Sequence, residues 1–307
     1  MASIAVVIPT HNAGNTWSLV LKAIQKQSIK VKEIVVLDIE STNSTINIAE
    51  DHFARVIPIF AKDWDPWFTR QWAASQTKES DIVVYLSQDC ILDDYYSLEQ
   101  LVDKLISKNS YMVYGRQKCG HDAPPNIKQI YKSFFPTHNL NINEIEKLLP
   151  AAMRLCVYYH AFAAYFRKKL LKFNYNLPNK VIAADDIIVM DHLLKNQETI
   201  DYCPKAAVLR SPTPSIKQYF QQSIDRGVSY YKEKNNLSFT DRDTGVIRKF
   251  LPKEKNLTLD RDIAMKKLIG VVYLAAQKIG YQIGKHNPSG WSNRDRNKDK
   301  GPLRGLT

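Results

Sequence analysis

Residues 4–38 read IAVVIPTHNAGNTWSLVLKAIQKQSIKVKEIVVLD, and this stretch decides the fold. Ile4–Ile8 and Glu33–Leu37 are short β-branched runs that read as strands. Between them, from about Asn15 to Gln27, Trp17, Val20, Leu21 and Ile24 recur at helical spacing. The rhythm repeats downstream, with strands predicted at Arg55–Ile59, Ile82–Leu86 and Met112–Tyr114 and helices near Ile46–Phe53, Phe68–Gln76 and Leu98–Ser107. Strand, helix, strand predicts an α/β domain around a mostly parallel sheet. Ligands of such sheets sit beyond the carboxyl ends of the strands. That rule singles out Pro9-Thr10-His11-Asn12, Asp38 to Ser41, and Ser87-Gln88-Asp89.

From Gly115 the rhythm breaks. Pro124-Pro125 and Pro136 bracket a short segment, and His121–Asn143 is rich in polar and turn-forming residues, which reads as an insertion shaping a substrate site. Helical patterns return at Asn143–Leu149, Asp186–Lys195 and Ser215 to about Lys232, and Ala206–Leu209 reads as a strand. Between Asp262 and Lys285, Met265, Leu268, Ile269, Val272, Ala276, Ile279 and Ile283 share one helical face, with Lys267, Lys278 and Lys285 roughly opposite. Such a helix either packs on the domain or lies on an anionic membrane. Residues 287–307 form a polar, basic tail expected to be disordered.

Composition bounds the function. With 307 residues, 44% hydrophobic and 24% charged, the chain is neither disordered nor fibrous. Its net charge of +12 points to an anionic partner: nucleic acid, anionic lipid or a phosphorylated substrate. The aromatic and basic residues are dispersed without a nucleic-acid recognition motif, which ranks that class last. The longest apolar run, Leu268–Ala276, falls short of the ~20 residues that span a bilayer. No secretion signal precedes Ile4, so the expected location is cytoplasmic. Cys90, Cys119, Cys156 and Cys203 are scattered, which fits reduced thiols rather than disulfides or a zinc site.

Asp38 and Asp89 follow apolar strands and project from the ligand edge of the sheet. A carboxylate there either caps the next turn, accepts from a base or ribose, or holds a divalent cation against a diphosphate. The strings VVIPTHNAG (Val6–Gly14), EIVVLDIESTNST (Glu33–Thr45), FTRQWAA (Phe68–Ala74), VVYLSQDCILDD (Val83–Asp94) and YGRQ (Tyr114–Gln117) follow one another in order. Together they resemble the family 2 inverting glycosyltransferases, and within them the rhamnosyltransferase-like subgroup. Fainter similarity continues through YYHAFAAYFRKKLL (Tyr158–Leu171), AADDIIVMDHLL (Ala183–Leu194) and YCPKAAVLRSPTPSIKQYFQQSIDRG (Tyr202–Gly227).

The resemblance implies a GT-A fold: a nucleotide-sugar-binding half over 1–115, an acceptor-binding half over 116–232, and a helical extension. It implies that Asp38 reads the pyrimidine base, with Pro9, Thr10, His11, Asn12 and Arg70 lining the nucleotide pocket. Gln88-Asp89-Cys90 stands in place of the metal-binding D-x-D signature, so Asp89 is the implied ligand for Mg2+ or Mn2+. The pair Asp185-Asp186 matches the acidic pair that supplies the base, with Asp186 favoured over Asp185. Arg116 is placed at the diphosphate or sugar. Tyr159 and His160 face the acceptor, unless with Tyr158 and Phe162 they form an aromatic core. Trp64, Trp67 and Trp72 are assigned to packing, and His11 doubles as a structural turn residue.

Two departures stand out. The family's Asp-Ser-Gly-Ser-Thr-Asp-Gly run reads Asp38-Ile39-Glu40-Ser41-Thr42-Asn43-Ser44, without the glycines and the second carboxylate. The Val-x-His site reads Val208-Leu209-Arg210, and an arginine there clamps a phosphate rather than a metal, which lowers metal dependence. The expected activity is inverting transfer of a sugar, L-rhamnose from dTDP-L-rhamnose, to a lipid-linked glycan of a bacterial surface polysaccharide (O-antigen or capsule). A UDP-sugar donor (galactose, glucose or N-acetylhexosamine) is the alternative, and a non-catalytic nucleotide-sugar binder the third reading. The expected setting is the inner face of the cell membrane, with the anionic surface as a partner.

Overall fold

The structure is a computed structural model that describes residues 2–77, 79–121, 123–139, 160–172, 193, 196, 198–211, 216–233, 275, 276 and 278–286. Eight strands form one sheet in the order β3-β2-β1-β4-β7-β6-β8-β5. They are β1 (Ile4–Thr10), β2 (Glu33–Asp38), β3 (Arg55–Pro58), β4 (Ile82–Leu86), β5 (Cys90–Leu92), β6 (Met112–Cys119), β7 (Phe162–Phe166) and β8 (Ile200–Arg210). β1 pairs in parallel with β2 and β4, β2 with β3, and β6 with β8. β7 runs antiparallel between β4 and β6, and β5 runs antiparallel to the outer edge of β8. The sheet therefore continues unbroken across residue 115.

Alternate strand residues feed two cores. Val6, Ile8, Val36 and Val84 pack with Trp17, Val20, Leu21 and Ile24 of α1 (Trp17–Gln25) and with Leu98, Leu101 and Leu105 of α4 (Ser97–Lys108). Ala49 of α2 (Thr45–Asp51) joins the same layer. On the other face Val7, Val35, Val83 and Tyr85 meet α3 (Pro66–Gln76), α5 (Pro125–Phe134) and α6 (Arg167–Lys172). The helical spacing read from Trp17 to Ile24 is thus a core-facing stripe, each side chain contributing roughly 2 kcal/mol of gross burial. Trp64 and Trp67 are buried, as the packing assignment expected.

Two elements of this middle region differ from the sequence reading. The segment after Gly120 contains α5 rather than only turns: Pro124 stands at the N-cap and Pro125 inside the first turn, where a missing N–H costs nothing. β6 continues beyond Tyr114 to Cys119, with a register break between Gly115 and Arg116. A Cβ on Gly115 would lie 2.3 Å from Phe162 Cδ1 and 2.7 Å from the Ala206 carbonyl oxygen, so only glycine lets β6, β7 and β8 approach here.

α7 (Ile216–Glu233) packs against helical residues 278–286. The inward stripe there is Ala276, Gly280 and Gly284, while Ile279, expected on the apolar face, is 45% exposed beside Lys278. The reason is backbone proximity: a Cβ on Gly280 would fall 2.0 Å from the Ile224 carbonyl oxygen. No helix among the described residues is long and apolar enough to cross a membrane. The helices expected at Asn143–Leu149 and Asp186–Lys195 and the tail 287–307 lie outside the described residues, apart from residue 193.

Candidate functional site

The register places Thr10 of β1 beside Asp38 of β2, so two strand ends stop level at one edge of the sheet. Thr10 Oγ1 donates to Asp38 Oδ1 at 3.0 Å, and the Ser41 N–H donates to Asp38 Oδ2 at 2.9 Å. Asp38 is buried, so this carboxylate is fixed before any ligand arrives. Pro9, one step back in β1, is paired with Leu37.

The loops that follow interlock. Asn12 adopts φ 45° and Glu40 φ 49°, left-handed conformations that tighten both turns. The Asn12 N–H donates to Ser41 Oγ at 2.8 Å, and Asn12 Oδ1 accepts from the Thr42 N–H at 2.8 Å. His11 Nδ1 lies 2.6 Å from the Ile39 carbonyl oxygen. A carbonyl only accepts, so Nδ1 carries the proton and Nε2 accepts from Asn12 Nδ2 at 3.0 Å. The third strand end enters through Gln88, whose Oε1 accepts the His11 N–H at 2.9 Å and whose Nε2 donates to the His11 carbonyl at 3.3 Å. Thr10, His11, Asn12, Asp38 and Gln88 are thereby one hydrogen-bonded unit. Asn43, where the resembled family has a carboxylate, instead ties the loops by donating to the Ala13 carbonyl at 3.1 Å.

Asp89 sits one residue further on. Its Oδ2 lies 2.7 Å from Nη2 of Arg210, an ion pair in which the side chains are 12% and 4% exposed. Three contacts set it up. β5 and β8 place Cys90 opposite Arg210, the Ser211 N–H donates to the Asp89 carbonyl at 2.8 Å, and Thr16 Oγ1 donates to the Ser211 carbonyl at 2.8 Å. Thr16 precedes α1 yet makes no side-chain cap bond; its hydroxyl anchors the end of β8 to the ligand edge instead. Burial pushes the Asp89 carboxyl up, and the Arg210 guanidinium pulls it partly back. The neighbouring Cys90 thiol is pushed up to about 12 by burial.

Arg70 projects from α3, whose start is secured by Asp65: its Oδ1 accepts the Trp67 and Phe68 N–H groups at 3.0 and 2.9 Å. The Arg70 guanidinium is buried, donates from Nη1 to the Pro66 carbonyl at 2.7 Å, and lies near His160. His160 is buried too, with Nδ1 3.1 Å from the Tyr165 hydroxyl and its ring among Trp67, Tyr85 and Tyr165. Burial first, then Arg70, holds its pKa well below the ordinary histidine value. His160 and Phe162 are both buried, but in different layers: His160 stands among Trp67, Tyr85 and Tyr165, and Phe162 in the layer with α1 and α4. Arg116, half-buried after the β6 break, donates from Nε to the Phe135 carbonyl at 3.3 Å.

Asp185, Asp186 and Tyr159 lie outside the described residues. Sequence reasoning named Asp89 and Arg210 separately but did not pair them, and it passed over Thr16. Serine, threonine and asparagine clustered after a strand were the available signal. Among the described residues no three His, Cys, Asp or Glu groups gather to hold a metal.

The family described as glycosyl transferase family 2 matches residues 5–173. The O-antigen chain rhamnosyltransferase WbaN of Salmonella anatum is 31% identical over 231 residues, 74% of this chain and 72% of that protein. The O-antigen chain rhamnosyltransferase RfbN of Salmonella typhimurium is 30% identical over 234 residues, 73% and 71% of the two chains. Among solved structures, the mannosyltransferase PcManGT from Pyrobaculum calidifontis in complex with GDP-Man and Mn2+ aligns with a TM-score of 0.56 at 14% identity, covering 93% of this chain and 76% of that one. Glucosyl-3-phosphoglycerate synthase from Mycobacterium tuberculosis with Mg2+ and UDP aligns with a TM-score of 0.53 at 17% identity, covering 78% and 81%. These two likenesses concern the fold, which is the GT-A plan that the sequence resemblance implied.

Proposed function

The chain belongs to glycosyl transferase family 2, and from that premise we propose that it transfers L-rhamnose from dTDP-L-rhamnose to a lipid-linked glycan in O-antigen assembly, with inversion. The observation that carries the reading is the interlocked edge formed by the ends of β1, β2 and β4, with Asp38 and Asp89 fixed in it. The names of the two Salmonella relatives support the sugar and the setting. In this reading Asp38 accepts from the base, the Pro9–Asn12 turn and Gln88 line the nucleotide, and Arg70, Arg116 and Arg210 face the diphosphate.

A divalent ion fits the donor set at Asp89, because Mg2+ and Mn2+ take hard oxygen ligands and Mg2+ commonly rests on one or two carboxylates plus substrate phosphates. Asp89 would hold Mg2+ or Mn2+, which when bound offsets the charge building on the departing diphosphate. Asp186, with Asp185 as the competitor, takes the proton from the acceptor hydroxyl as its oxygen attacks the anomeric carbon opposite the leaving group. Tyr159 and His160 are assigned to the acceptor side, His160 as part of the wall beneath it. Peripheral attachment to the inner face of the membrane is supported by Lys278, Ile279, Lys285 and His286, which are exposed together on the helical residues 278–286.

A UDP-sugar donor is the second reading, favoured by the UDP-bound neighbour. The test is transfer to a synthetic lipid-linked acceptor together with nucleotide-dependent melting. A larger melting shift with dTDP than with UDP, and transfer lost in Asp186→Asn and Asp89→Ala, are expected. Equal or larger stabilisation by UDP overturns the rhamnose donor.

A further inference from the structure

The Asp89–Arg210 pair puts a cation of the protein itself against the carboxylate assigned to the metal, at 2.7 Å. Both side chains are almost wholly buried, so Asp89 offers a hydrated ion no open, solvated face. A lone metal ion would have to shed water and break the Asp89–Arg210 pair. A nucleoside diphosphate changes both conditions at once. Its oxygens give Arg210 a new bidentate partner, and they supply the metal with the ligands that Asp89 alone lacks.

We infer that Arg210 is a latch on the metal site: it occupies Asp89 until a nucleoside diphosphate draws it away, so that the divalent ion binds only together with the nucleotide. This rests on the reading of Asp89 as the metal ligand. The backbone supports a movement of the side chain alone. Arg210 is pinned in register opposite Cys90, and the Asp89 carbonyl is held by the Ser211 N–H at 2.8 Å. Because coupling between two ligands is reciprocal, metal must also tighten the nucleotide by the factor by which nucleotide tightens metal.

The experiment is Mn2+ binding to the full chain, followed by electron paramagnetic resonance of the free ion, without nucleotide and with dTDP or UDP. Wild type is expected to take up Mn2+ weakly alone and at least about tenfold more tightly with a nucleotide. Arg210→Gln should bind Mn2+ without nucleotide about tenfold more tightly than wild type, within the usual range of such couplings. Arg210→Lys, which keeps the charge, should stay as weak as wild type. Adding Asp89→Asn to Arg210→Gln should abolish the gain. Mn2+-dependent melting reads the same quantities independently of the resonance signal. Tight Mn2+ uptake by wild type without nucleotide overturns the latch, whichever variants fold, and so does an Arg210→Gln protein that binds no more tightly. Failure of every protein to bind Mn2+ even with nucleotide overturns instead the assignment of Asp89 as ligand, and the latch with it.

Discussion

Gly115→Ala tests how tightly the sheet is closed around the site. The added Cβ would stand 2.3 Å from Phe162 Cδ1 and 2.7 Å from the Ala206 carbonyl oxygen, both inside any distance that real Cβ atoms keep. Overfilling a packed interior costs about 1–3 kcal/mol. The upper end is expected here, because Phe162 is 1% exposed and Ala206 belongs to the backbone of a strand that is paired on both sides. The two contacts separate experimentally. Phe162→Ala removes the side-chain atoms that collide and leaves the carbonyl, so Gly115→Ala in that background should cost at least about 1 kcal/mol less than in wild type. Urea unfolding followed by tryptophan fluorescence measures both, with the midpoint falling at unchanged slope. The same change should reach function through Arg116, which follows the register break directly, as a raised KM for the nucleotide sugar. A Gly115→Ala protein within about 0.5 kcal/mol of wild type, the span of ordinary surface substitutions, would refute the close-approach argument.

Three further outcomes are expected. Asp38→Ala leaves Thr10 and the Ser41 N–H without their acceptor and should cost about 2–4 kcal/mol, with nucleotide affinity falling in a calorimetric titration, whereas Asp38→Asn should retain most of the stability. His160 has a folded pKa below its unfolded value near 6.5, so the unfolded chain takes up the proton first; stability is complete above about pH 6.5 and falls as pH drops below it, by at most about 1.4 kcal/mol per pH unit. His160→Phe should flatten that dependence in melting curves between pH 7 and 5. Glu40→Gly relieves a left-handed residue and should be neutral or stabilising by up to about 1 kcal/mol in thermal unfolding, while Glu40→Val destabilises.

The parallel half of the sheet was legible because its signals are local. β1, β2 and β4 carry their own apolar runs, and the stripe from Trp17 to Ile24 declares the crossover between the first two. Asp38 could be placed from sequence for the same reason, since it simply ends a strand. β5 has three residues and no pattern; it is a strand only because β8 arrives beside it. β7, reading FAAYF, was met as a motif rather than a strand, and its antiparallel insertion between β4 and β6 leaves no trace in periodicity. The pairing of Asp89 with Arg210 inherits that invisibility, because it depends on the least legible ladder in the sheet. Ile279 shows the opposite failure: a clear helical stripe suggested burial, but glycines bring the backbones together and leave the isoleucine outside.

The placement of β8 between β6 and β5 also has a consequence for biosynthesis. β1 to β4 join through short parallel crossovers and can assemble as the chain emerges from the ribosome. A nascent chain that has reached residue 173, where the family match ends, holds Cys90–Leu92 without its ladder and β6 with one side bare. Its Asp89 has no Arg210 to meet. Until residue 210 is delivered, this growing polypeptide exposes a strand edge of the kind that pairs with neighbouring chains, and a late step of insertion closes it. Truncation upstream of β8 should therefore yield aggregation rather than a smaller enzyme.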